Sequence, residues 1–235
     1  VAIVDLDRQQ GLALFAEMVS TRNLLGYSLR VIRTASFIET TREPILTMLS
    51  IGMEKLYKLA LGLIILERDH KWPSKSEMKK QGHNLVPMHA TVMNELRARI
   101  EDKSHYLREL VTRADNDPVV APIIEALDLY GRMGRFYYLD QLGDAPQAIS
   151  PETAWQKIEQ CALADPKVAV LHRQATQNVG DSQAWDELAC ALRQRIATAV
   201  ERIWISIAVC GQNHVLGETG AVFGFEIHPD AVGRQ

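Results

Sequence analysis

Apolar residues recur at three- and four-residue intervals through most of the chain. Leu163, Val168 and Leu171 mark one such stretch; Trp185, Leu188, Leu192, Ile196, Ala199 and Ile203 mark another. This is the period of an amphipathic helix, with one stripe turned to a core. Polar punctuation falls between the stripes. "SPET" at 150–153, "ADP" at 164–166 and "DNDP" at 115–118 each set Ser or Asp at an N-cap and Pro at the first helical position. There the missing N–H costs nothing and the fixed φ is already helical. "SKSE" at 74–77 has the capping-box pattern, Ser74 taking an amide and Glu77 reaching back. Together these signals predict helices near 7–20, 22–39, 43–67, 84–113, 118–141, 151–162, 165–177 and 182–210, with a short turn at 75–80.

The pattern changes after Gly211. "GQNHVLGETGAVFGFEIHPDAVGRQ" holds five glycines and an alternating Phe223, Phe225, Ile227. It reads as loop plus an extended C-terminal arm over 211–235, draped on the bundle or packed on a neighbouring protomer. The fold class expected is all-α: one domain over 1–210, an antiparallel helical bundle with further N- and C-terminal helices, followed by the arm.

Composition narrows the class. With 47% hydrophobic and 23% charged residues the chain is that of an ordinary globular protein, and its scarcity of aromatics favours helices over strands. A net charge of −3 gives no overall pull towards nucleic acid or anionic membranes. Residues 68–113 hold ten Lys/Arg against six Asp/Glu, a local excess of four positive charges. Cys161, Cys190 and Cys210 stand apart, which fits reduced thiols in a cytoplasmic protein. No basic and apolar leader follows Val1, and the absent initiator Met reads as numbering that begins inside a longer product. The longest apolar run, Leu59 to Leu66, is eight residues, too short to span a bilayer.

One apolar helix keeps two opposite charges. In "MEKLYKLALGLIIL", 53–66, Glu54 and Lys58 lie at i and i+4 in the favourable order for a helical ion pair. A loop with Pro73 and the capped turn follow. "GHNL" at 82–85 then delivers His83 at the head of the next long helix. Glu54-x3-Lys58, the loop and GHNL together resemble the HEPN superfamily over about residues 50–140, with Asn84 where an acidic residue is commoner. The resemblance implies a core bundle over about 43–141 that often dimerises. Its members include RNA-cutting toxins, nucleotide-binding modules and inert partners of nucleotidyltransferases, in bacterial or phage-related regulatory and defence systems. It also implies that Lys58 and His83 meet across two helices with Glu54 orienting one of them. They would hold register or line a groove for a phosphate.

Active HEPN ribonucleases carry an arginine a few residues ahead of a histidine. The arginine steadies the scissile phosphate and the histidine moves a proton, without metal, at a site completed across a dimer. Arg99 and His105 are the pair here that has this spacing. On a straight helix their offset turns the side chains about 240° apart, and Ile100 replaces the usual polar neighbour of the arginine. A second stretch, "LYGRMGRFYYLDQLG" at 129–143, sets Arg132 and Arg135 beside three aromatics. Arginine next to aromatic rings can bind a base, with Tyr138 completing the lining, or the rings can be core and the arginines pair with Asp128 and Asp140. Neither zinc-type His pairs, the two Glu-x-x-His motifs of a di-iron site nor phosphate-loop glycines occur, so no metal and no cofactor is expected. The leading expectation is a non-catalytic, self-associating helical module, a homodimer that binds a partner protein or a nucleotide. A metal-independent ribonuclease acting on RNA through Arg99 and His105 is the alternative.

Overall fold

The computed structural model describes residues 3–233. Among them are eleven α-helices, two short 3-10 turns and no strand. Two long helices organise the fold: α2, Ile38–Asp69, and α10, Ser182–Gln212. α1, Arg8–Thr34, packs along α2 and also touches α10. On the other flank of α2 lie α4, Leu85–Arg99, and α6, Val120–Arg132. α8, Pro151–Leu163, covers α6, and α5, His105–Asp115, lies on α10. Leu56, Tyr57, Ala60 and Leu63 of α2 are sealed from solvent, so this helix is the apolar spine. α9, Pro166–Gln177, packs on the first half of α10 around a small separate cluster of Val168, Ala175 and Leu188.

Most caps form where the sequence places them. Ser150 accepts from Thr153 N–H, Asp165 from Lys167 N–H, and the Ser74–Glu77 box closes around α3, Lys75–Lys80. Other boundaries differ. The break expected near residue 21 is absent: Thr21 donates its hydroxyl back to the Glu17 carbonyl at 2.7 Å, and the helix runs on. α2 begins at Ile38 rather than 43 and passes through Pro44 near its start. The helix expected over 84–113 is two, because Ser104 N-caps α5 after a turn at 100–104. The helix expected over 118–141 ends at Arg132. A 3-10 turn at Gly134–Phe136 and the short α7, Tyr137–Asp140, follow.

The C-terminal arm is the main correction. Residues Glu218–Ile227 form helix α11, and a 3-10 turn follows at Pro229–Ala231. Phe223 and Ile227 are fully buried, one helical turn apart, while Phe225 faces outward at 66% exposure. The alternation therefore reflects a helix with one buried edge and no strand. The glycines serve contact between helices: a Cβ on Gly224 would sit 2.2 Å from the Gln212 nitrogen, and one on Gly211 2.7 Å from the Gly220 carbonyl. Trp204 donates its indole N–H to the Ile227 carbonyl at 2.6 Å. Arg22 donates to the Glu226 carbonyl and carboxylate, each at 2.9 Å. The segment is part of the domain.

Candidate functional site

Glu54, Lys58 and His83 come together. Glu54 Oε1 accepts from Lys58 Nζ at 2.7 Å, and His83 Nδ1 lies 2.8 Å from the same oxygen. Gly82 enables the approach, since its φ of +66° turns the chain between α3 and α4 in a conformation that favours glycine. The carboxylate is about three-quarters buried while His83 stays exposed. One turn along α2, the buried Tyr57 hydroxyl meets His89 Nδ1 of α4 at 2.7 Å. Burial, then the nearby Arg97 charge, push the His89 imidazole down to about 4, so it is neutral near pH 7. No local spacing singles out His89; its partner lies 32 residues away. The two contacts fasten the head of α4 to α2.

Arg132 reaches the same region indirectly. Its guanidinium lies 2.6 Å from Asp128, and the other Asp128 oxygen accepts from Val86 N–H at 3.4 Å, three residues beyond His83. Arg135 stacks on Phe136, 5.4 Å from the ring centroid, and Tyr138 sets an edge against Tyr137. No hydrogen bond or ion pair among the described residues links Arg132, Arg135 or Tyr138 to Glu54, Lys58 or His83. The six residues thus form two groups rather than one lined pocket.

Arg99 and His105 hold different partners. The turn at 100–104 separates their helices. Arg99 Nε lies 3.2 Å from Glu95, and His105 Nδ1 lies 4.0 Å from Glu109 with its side chain 85% exposed. His105 lines a shallow cleft of about 380 Å³ with Arg108, Thr112 and Arg113, and Arg99 is not on its walls.

Two features were not legible from sequence spacing. The first is a buried ion cluster. Asp117 is wholly enclosed and accepts from Arg195 Nη1 at 3.0 Å, Arg202 Nη1 at 2.6 Å and Val119 N–H at 3.0 Å. Arg195 Nε also reaches Asp165 at 2.9 Å. Burial works to raise the Asp117 carboxyl; the bonds from Arg195 and Val119 and the Arg202 charge outweigh it and hold its pKa below the usual range. The cluster joins the α5–α6 connection to α9 and α10. Its acceptors are engaged, which makes it an anchor.

The second is an exposed apolar segment. Met133, Phe136, Tyr138, Leu139, Leu142 and Ile149 all face solvent between α6 and α8, Leu142 at 86%. Arg135 stands near the start of this segment and Asp144 near its end; among the described residues neither has an ion-pair partner. Single exposed apolar side chains are ordinary; here six fall within 17 positions.

No cluster of three or more His, Cys, Asp or Glu suited to a metal ion occurs among the described residues. No helix among them is long and apolar enough to cross a membrane. Cys161, Cys190 and Cys210 are free thiols, and burial pushes Cys210 up to about 12. Comparison of the chain with protein-family models, curated proteins and solved structures returns no match.

Proposed function

We propose that this chain is a non-catalytic helical module that associates with a second copy of itself through residues 133–149. The observation that carries the reading is the exposed run of Met133, Phe136, Tyr138, Leu139, Leu142 and Ile149, with Arg135 near its start and Asp144 near its end, neither ion-paired among the described residues. A two-fold interface presents the same patch on both sides, so its charges must complement themselves on reversal. Laid antiparallel, Arg135 of each copy faces Asp144 of the other, and the apolar residues between them cover one another. The HEPN resemblance, with its frequent dimers, belongs to this proposal, as do a cytoplasmic setting and a role in bacterial or phage-related regulation. The separate partners of Arg99 and His105 support a binding role over RNA cleavage, which needs both groups on one phosphate.

Light scattering across a concentration series tests the proposal. The wild type should approach the mass of a dimer as concentration rises. Leu142→Asp with Phe136→Asp should remain monomeric, with unchanged helical content because both side chains lie outside the core. A wild type that stays monomeric throughout, or a double variant that dimerises as well as wild type, overturns it.

A further inference from the structure

A cleft of about 510 Å³ opens between the last turns of α2, the α3–α4 turn and the first turns of α4. Its size falls in the range of small-molecule sites. Leu61, Ile64 and Met88 form an apolar floor, each less than a tenth exposed. The polar groups on its walls divide into two sets. Arg68 is held by both oxygens of Asp69 at 2.7 Å, Glu95 pairs with Arg99, and Thr91 donates to the Pro87 carbonyl. Those are committed. Lys80 has no ion pair among the described residues, Asn84 caps α4 without a side-chain hydrogen bond, and Gln81 Oε1 is buried with no partner.

An orphaned buried carbonyl costs about 1–3 kcal/mol, so Gln81 is held in an unfavourable state. Gln81 lines the cleft, so its amide is within the reach of a ligand held there. The uncommitted set then offers a cation at Lys80, an acceptor at Gln81 and an amide at Asn84 above an apolar floor. We infer that this cleft binds the unit formed by a carboxylate, an adjacent amide N–H and an apolar side chain, the chemistry of an N-acylated apolar amino acid. The carboxylate takes Lys80 and the Asn84 amide, the N–H donates to Gln81, and the side chain covers Leu61, Ile64 and Met88. This site is separate from residues 133–149 and stands or falls independently of self-association.

The probe is N-acetyl-L-leucine, titrated into the full chain with methyl groups observed by NMR. Saturable shifts are expected at Leu61, Ile64 and Met88. N-acetyl-L-leucinamide, which lacks the carboxylate, should bind about tenfold more weakly, as should wild-type ligand to Lys80→Ala, since a charge-assisted hydrogen bond is lost. Gln81→Leu should weaken binding while raising the melting temperature of the free protein, because it removes the orphaned carbonyl. A merely structural Gln81 would not move both readouts in opposite senses. Absence of shifts at those methyls, equal binding of the amide, or the same shifts from acetate alone overturns the inference.

Discussion

At His89 the fold stores a pH dependence. The imidazole is neutral against the Tyr57 hydroxyl, and its pKa falls from 6.5 to about 4 on folding. Between those values the unfolded chain binds the proton that the folded chain refuses, so stability rises with pH across this window. The contribution is full above about pH 6.5 and is lost as pH falls towards about 4, to a total of about 3 kcal/mol. Urea unfolding at about pH 7 and about pH 4.5 should show this loss in wild type and a smaller one in His89→Leu. An equal acid dependence in the two proteins would remove His89 as its source. Glu54 acts locally: its Lys58 pair lies within α2, and its His83 contact ties the head of α4 to α2 near the surface, a contact of order 1 kcal/mol.

Among elements, α11 shows most clearly how sequence pattern and fold diverge. Five glycines after residue 210 resemble loop composition, yet Gly211, Gly220 and Gly224 bring the backbones of α10 and α11 together. Only the partner helix distinguishes the two meanings of glycine. Phe223→Ala should cost about 3–5 kcal/mol through the cavity it leaves. Gly224→Ala should cost about 1–3 kcal/mol or more, because the added methyl meets backbone that cannot yield. Thermal unfolding checks both; a Gly224→Ala protein as stable as wild type would mean that the helices do not approach as described. Elements with local signals were legible: the capped starts at Ser74, Ser150 and Asp165, and the Glu54–Lys58 pair one turn apart on α2. The resemblance implied that Lys58 meets His83; both meet Glu54 instead. What stayed hidden depends on distant partners. Asp117 read as a cap beside Pro118, but its main bonds go to Arg195, 78 residues away, and Arg202, 85 away. The exposed segment up to residue 141 read as the end of a helix over 118–141, and burial is a property of the assembled fold.

For the whole molecule, committed and uncommitted charged groups lie in different places. The conspicuous charges at Glu54, Asp117 and Arg99 are matched internally, while Arg135 and Asp144 within the exposed run at 133–149 have no ion-pair partner among the described residues. Incubation with mixed-sequence RNA in EDTA should give no cleavage above a mock preparation. Cleavage that survives the chelator and disappears in both Arg99→Ala and His105→Ala would instead establish a metal-independent ribonuclease. Self-association itself is tested most directly by charge exchange, followed by sedimentation velocity. Arg135→Glu alone and Asp144→Arg alone should each weaken the dimer, by placing like charges opposite one another across the two-fold axis. The chain carrying both substitutions should dimerise as wild type does, because each reversed charge again meets its opposite. Dimers indifferent to the single reversals, or a double variant weaker than either single one, would contradict a self-complementary interface at residues 133–149.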